Sequence, residues 1–421
     1  MSFDMGNVIK VLYICYFSNQ KVRKLAKRKI PAIYKLLRRD ATLPFDSDFA
    51  QWNTNAISEL VKHTDIELHI VCPVSFLAKK RIDVYDDSVY YHFIRDERSS
   101  LIYKLRKVFF KGQKVSYKYN RRRINDVIRL VGPDIIHIIG AENDYYADVV
   151  FDITRQIPVI VQLQTLINSP EFKSGYLFDE VSYNQACCSE AAILARADYI
   201  GTTISGYRKT IVEKIKTDAN FLSTSLAIAP MICKDIVPKK YDCIYFASNI
   251  EKSADLAVEA FVRAKHKLPN ITMLIVGGYS DEYKKYLLGI LSENGVSDSV
   301  TFLGRLQSYS EVLSYVQRSR CALLPLKVDF IASTIREAMA LGVPTLSTIT
   351  SGTPILNETR QSILLSEIGD HEQLSINLVD LLTDSALYVA LQQNAYQTIE
   401  DKYSNKAIID KWVDSYKYIL D

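Results

Sequence analysis

The chain has 421 residues, 48% of them apolar and 24% charged, which is ordinary globular composition and excludes a disordered or fibrous chain. At roughly 100–200 residues per domain there is room for two or three cores. Lysine and arginine (52) nearly balance aspartate and glutamate (48), so the net charge of +4 points to no class of partner by itself.

From the N-terminus, Met1 to Tyr16 lacks the basic start and small-residue cleavage site of a signal peptide, so none is expected. No apolar run reaches the roughly 18–20 residues that a membrane helix needs. Residues 21–39 then carry nine cations and no acid, and residues 104–123 carry nine more and no acid. The first run interleaves its cations with Leu25, Ile30, Ile33, Leu36 and Leu37, with Pro31 dividing any helix there. The second interleaves them with Val108, Phe109, Phe110, Tyr117 and Tyr119. That pattern suits an interfacial helix on anionic lipid. Two solvated helices are the plainer reading, and no nucleic-acid motif accompanies the charge. The seven cysteines have no Cys-x-x-Cys spacing, which predicts reduced thiols in a cytoplasmic compartment.

Near-continuous hydrophobic runs predict parallel strands at Val8–Phe17, Ile66–Val74, Val89–Ile94, Asp134–Ile139, Val159–Gln164 and Tyr199–Thr203. Helical patterns lie between them, as at Phe49–Lys62 and Ser182–Ala197. A second series follows Pro230 and Pro238, with strands at Cys243–Ala247, Ile271–Val276, Val300–Leu303, Ala322–Leu326 and Thr345–Ser347. Leu256, Ala260, Ala264 and Leu268 recur at helical spacing, and a helix over Asp281–Asn294 is closed by Gly295. Asp370–Asp421 reads as helix throughout, with a weak break near Asp384–Ser385. The alternation predicts two doubly wound α/β domains, and tandem domains of this kind bind ligand in the cleft between them.

The most informative stretch is Leu323–Thr350, LLPLKVDFIASTIREAMALGVPTLSTIT. A buried strand ends at Pro325–Leu326, a loop follows, and Ser333 or Thr334 is expected to cap a helix over Ile335–Leu341 that Gly342 closes. A helix N-terminus at the carboxyl end of a parallel strand presents free N–H groups and a positive dipole end, which suits a phosphate. An ordinary α/β turn would read the same. Asp329 and Glu337, eight apart on a stretch otherwise poor in acid, tip the balance.

This spacing and the flanking EAMALGVPTLS resemble the Glu-x7-Glu motif of retaining GT-B glycosyltransferases, in particular glycosyltransferase family 4, the group 1 family. The resemblance implies two Rossmann-like domains facing a cleft, with C-terminal helices: an acceptor-binding domain over 1–228, a nucleotide-sugar domain over 229–400, and a helix over 401–421 returning to the first domain. It implies that Asp329 bonds hydroxyls of the donor sugar and Glu337 the nucleotide ribose, with Asp in place of the family's first Glu. YDCIYFASNIEKSADL resembles the family segment that meets the donor diphosphate, Lys252 matching its lysine. The family arginine is replaced here by Ala247, Ser248 and Asn249. Gly277 and Gly278 resemble the glycine pair where backbone passes the donor, and Phe302–Arg305 the loop that reads the base. Ser351–Pro354 resembles the family's Gly-Thr-Pro segment.

The first half matches more loosely. Gly132–His137 resembles the family's Pro-Asp-Val-Val-His strand, making His137 a candidate, although a lone His in a buried strand is more often structural. Glu142 lies just past that strand, where an acceptor or only solvent could meet it, and Gln164 stands where the family's histidine is common. The resemblance further implies no metal and no cofactor, a UDP- or GDP-sugar donor and a glycan or lipid-linked acceptor. The site is then cytoplasmic, on the inner face of a bacterial plasma membrane, in capsule or lipopolysaccharide synthesis. Two rivals stand beside this reading: a degenerate relative that binds without turnover, and a nucleotide-sugar epimerase, for which carboxylate and His candidates are few.

Overall fold

The computed structural model describes residues 8–17, 20–31, 51–100, 103, 116–175, 179–228, 237–247, 253–328 and 333–421. Contacts divide the chain into two compact units, residues up to Ala227 together with Ile408–Asp421, and Ile228–Ala407.

The first unit is built on an eight-stranded sheet. Its strands are β1 (Ile9–Ile14), β2 (Ile66–Val74), β3 (Arg81–Asp86), β4 (Val89–Arg95), β5 (Ile135–Ile139), β6 (Val159–Gln162), β7 (Tyr199–Gly201) and β8 (Phe221–Leu222), in the order β3-β4-β2-β1-β5-β6-β7-β8. All neighbours pair in parallel except β3, which runs antiparallel to β4. The central strands are apolar without alternation because helices cover both faces; β1 is buried from Val11 to Ile14. β3 is an addition to the predicted set. It alternates half-buried Ile82 and Val84 with Asp83 and Tyr85, which are exposed, the charged and partly wet composition of an edge strand.

The second unit has six parallel strands, β9 (Tyr241–Phe246), β10 (Met273–Val276), β11 (Val300–Gly304), β12 (Ser319–Leu324), β13 (Thr345–Thr348) and β14 (Leu364–Ser366). Their order, β11-β10-β9-β12-β13-β14, is the doubly wound order, and it reverses direction between β9 and β12. Ligands of such sheets bind at the carboxyl ends of the strands at that reversal. One contiguous apolar core fills this unit, with Phe261, Leu287, Ile335, Met339 and Leu378 packed against the strands.

Asp384 explains the weak break in the C-terminal helical region. It ends the helix His371–Thr383, and its carboxylate accepts from the N–H groups of Ala386 (2.8 Å) and Leu387 (3.0 Å), starting Ser385–Thr398. The last helix, Asn405–Leu420, belongs to the first unit from Ile408 onward. Its Trp412 donates to the Ser225 carbonyl at 3.0 Å, and Lys417 pairs with Asp65 at 2.6 Å. Among the described residues no single helix is long and apolar enough to cross a membrane.

Candidate functional site

In the second sheet the reversal point lies between the ends of β9 and β12. Residues 248–252 and 329–332, which come shortly after those strands in sequence, are outside the described residues, and with them Ser248, Asn249, Lys252 and Asp329.

On the β10 side, Gly277 donates its N–H to the Gly304 carbonyl at 3.0 Å. It has φ +156°, and a Cβ there would strike the Ala247 carbonyl at the end of β9, so glycine permits this close approach of two strand ends. Tyr279 donates its hydroxyl to the same Ala247 carbonyl. A Cβ on Gly278 would meet the Arg305 side chain at 3.4 Å, so the structure brings Gly277, Gly278 and Arg305 together at one strand-end edge.

On the β12 side the helix runs Ser333–Ala340. Ser333 and Thr334 therefore occupy its first turn rather than the cap position expected for them, and the residue before them lies outside the described range. The Thr334 hydroxyl is buried and makes no hydrogen bond among the described residues. Glu337 follows at three and four residues' spacing, on the same face of the helix. The helix ends at Gly342, where φ is +66° and the N–H groups of Gly342 and Val343 return to the carbonyls of Met339 (3.0 Å) and Ala338 (2.9 Å).

Further neighbours complete the surroundings, and of these only the Ser351–Pro354 turn was marked by the sequence. Tyr309 opens the helix Tyr309–Gln317; burial, and then the Glu337 charge beside it, push its phenol far above the ordinary range, so it stays a neutral donor next to Glu337. Asp255 accepts from the Tyr283 hydroxyl (2.9 Å) and pairs with Lys327 (3.3 Å), tying the start of helix Ala254–Lys267 to the loop after β12. The four-residue spacing of Tyr279 and Tyr283 just after the glycine pair was a usable signal. Thr353, fully buried in the Ser351–Pro354 turn, donates to the Thr348 carbonyl at 2.7 Å and accepts from the Thr350 N–H at 2.8 Å.

The first sheet reverses between β1 and β5, and Glu142 sits just past the end of β5. Gly140, at φ +84°, leaves the space into which the Glu142 carboxyl folds back; a Cβ there would collide with it. One Glu142 oxygen accepts from the Asn143 amide at 2.8 Å, while Oε2 is buried and unpartnered. Burial first, then the Glu190 charge, push the Glu142 carboxyl up to about 8. Glu190 is fully buried and clamps the loop after β6, accepting from the N–H groups of Ile167 (2.8 Å) and Asn168 (2.9 Å). Gln164 is half-buried at the start of that loop.

His137 is placed differently from its candidate role. It lies inside β5, 2% exposed, with Nδ1 2.6 Å from the Tyr416 hydroxyl and its ring 4.5 Å from that of Trp412. Burial pushes its imidazole down to about 3, so it is a neutral core residue anchoring the last helix.

The basic runs are described only in part, at 21–31 and 116–123. Within those parts Lys21 pairs with Asp87 at 2.6 Å and Arg121 forms an ion pair with Asp152, whereas Lys118 and Arg122 are exposed. Among the described residues no three His, Cys, Asp or Glu side chains gather as a metal site would require.

Comparison with known proteins bears on the family and the fold. A family model described as "Glycosyl transferases group 1" matches residues 236–398. The chain is 25% identical over 134 residues to the N-acetyl-alpha-D-glucosaminyl L-malate synthase of Bacillus anthracis, covering 32% of this chain and 34% of that one. It is 23% identical over 202 residues to the lipopolysaccharide core biosynthesis glycosyltransferase LpsE of Rhizobium meliloti, covering 48% of this chain and 57% of that one. These matches thus span between a third and just over half of the relatives' lengths. The Anabaena protein Alr3699/HepE, solved in complex with UDP and glucose, superposes with a TM-score of 0.64 at 11% identity, over 97% of this chain and 100% of that one.

Proposed function

Because residues 236–398 form a glycosyltransferase family 4 (group 1) domain within a GT-B fold, we propose that this chain moves a sugar from a nucleoside-diphosphate donor to a hydroxyl of a glycan or lipid-linked acceptor, with retention at the anomeric carbon. Glu337 carries this reading: a carboxylate on the helix that opens beside the reversal point of a doubly wound sheet, one turn from the buried Thr334 hydroxyl.

In this mechanism Glu337 accepts hydrogen bonds from the ribose hydroxyls. The N–H groups at the start of helix Ser333–Ala340, with Lys252, meet the diphosphate and stabilise the charge that grows on it as the sugar leaves. Ser248, Asn249 and Arg305 take the place of the family arginine, and Asp329 orients the donor sugar. The bond from the anomeric carbon to the diphosphate oxygen breaks as the bond to the acceptor oxygen forms. The acceptor's proton passes to the departing diphosphate, so no protein base is required. Glu142, which holds a proton at neutral pH, and Gln164 present hydrogen-bond donors to acceptor hydroxyls.

UDP is the donor nucleotide we favour, because HepE was solved with it. The similarity to LpsE supports cell-surface polysaccharide as the product class. A lipid-linked acceptor accounts for the basic runs 21–39 and 104–123, and puts the enzyme at the cytoplasmic face of the plasma membrane.

Calorimetric titration with UDP, GDP and ADP tests the donor site. One nucleotide binds the wild type in the micromolar range, and Glu337→Ala weakens it at least about tenfold, the loss expected for hydrogen bonds to a charged acceptor. If none of the three binds, the donor reading fails. Binding without sugar release to water or acceptor would favour the degenerate relative instead.

A further inference from the structure

The first unit holds a cavity of about 220 Å³ where β4 ends and helix Lys118–Val131 begins. Arg95, Asp96, Glu97, Tyr119 and Arg123 form part of its wall. The two acids are already engaged. Asp96 receives the Arg98 guanidinium at 2.8 Å and the Arg98 N–H at 3.0 Å. Glu97 caps the helix, accepting from the N–H groups of Tyr119 (2.8 Å) and Asn120 (2.9 Å).

The two cations are not so matched. Each guanidinium has five N–H donors. Arg95 uses its donors on the carbonyls of Leu77 (2.8 Å) and Ala78 (2.7 Å), and Arg123 donates to the carbonyl of Arg95. Among the described residues neither forms an ion pair. The neighbouring Arg121 shows the contrast: its bond to Asp152 pushes it above the ordinary range, whereas burial pushes Arg123 below it, Glu97 opposing the shift and Arg95 adding to it. Two guanidinium groups are thus fixed by backbone carbonyls at one cavity, with several donors each still open. Lys118 and Arg122, exposed on the same helix, add to the positive field.

We propose that this cavity binds an oxyanion, a phosphate group held between Arg95 and Arg123. Paired guanidinium forks match tetrahedral phosphate oxygens in number and direction. The phosphate belongs either to a lipid headgroup or to a soluble phosphate ester. The site stands whether or not the chain transfers a sugar, since it uses none of the donor-site residues.

The test uses the full chain and inorganic phosphate, followed by calorimetry and by the shift in thermal midpoint. Wild type binds phosphate and is stabilised by it; Arg123→Gln weakens binding about tenfold, as loss of charge-assisted hydrogen bonds requires. Lys252→Gln, which removes the cation proposed to meet phosphate in the donor site, leaves the Arg123-dependent part unchanged, and this separates the cavity from the donor site. Should Arg123→Gln lose its circular dichroism signature of folding, Arg123→Lys, which keeps the charge without the fork, gives an intermediate loss. Sedimentation with phosphatidylcholine vesicles, with and without phosphatidic acid, then identifies the source. Retention by phosphatidic acid that Arg123→Gln abolishes assigns a lipid headgroup; phosphate binding without such retention assigns a soluble ester. If phosphate binds Arg123→Gln as tightly as wild type, or does not bind wild type, the proposal is overturned.

Discussion

His137 and Glu142 stand five residues apart and face opposite fates, and both are read most directly through pH. The His137 imidazole is held down to about 3 by burial against an ordinary 6.5, so the folded state binds fewer protons than the unfolded chain between those values. Its contribution is complete above about pH 6.5 and is lost as the pH falls, about 3 kcal/mol by pH 4. Glu142 works in the opposite sense: its carboxyl is raised to about 8 from 4.5, so stability declines as the pH rises through that interval. Urea unfolding across pH 4–8 should show His137→Gln flattening the acid limb alone; an unchanged acid limb would sink the assignment. Neither environment was legible in the sequence. Histidine in a β-branched strand is compatible with a core or a site, and only the Tyr416 and Trp412 rings, some 280 residues on, decide it. The placements of Glu337, Gly277 and Gly278 were legible because they depend on local backbone, a helix face and a strand end, which short spacing encodes.

At the scale of elements, the legible ones have stop signals in the chain itself. Gly342 closes the helix Ser333–Ala340 because its φ of +66° is one that side chains avoid, and the Tyr396 ring fills the space where a Cβ would go. Gly342→Ala therefore meets both backbone strain and a steric clash, and costs roughly 2–4 kcal/mol of the second unit's stability. Chemical denaturation measures this; a loss within experimental error would show that the turn adapts. The start of the same helix was misjudged by two residues, because serine and threonine suit a cap and a first turn alike. β3 escaped notice for another reason. A strand paired on one side only, with Asp83 and Tyr85 exposed, lacks the continuous hydrophobicity that marked its buried neighbours.

At the scale of the whole molecule, the chain order and the fold order differ. The first unit takes its last fourteen residues, Ile408–Asp421, from the far end of the chain, after the second unit is complete. Ile408, Ile409, Trp412, Val413 and Tyr416 are all buried there, and Trp412 closes over Tyr13 and His137, the middle of the sheet. Local patterning showed only helix at the C-terminus; its return to the first domain was expected from the family resemblance alone, because that destination depends on surfaces formed up to about four hundred residues earlier. Contacts of such separation close late, so the first unit cannot finish its core until Ile408–Asp421 is in place. The second unit has no such debt, since Ile228–Ala407 is continuous. A chain ending at Ala407 should thus lose the two units unequally. Limited proteolysis with mass spectrometry is expected to cut within residues 8–227 well before it cuts within 253–407. In the full chain Trp412→Ala should reproduce the effect more weakly, costing the first unit about 3–5 kcal/mol. Equal resistance of both units in the shortened chain would mean that the first core closes without its last helix, and that His137 is held by the sheet alone.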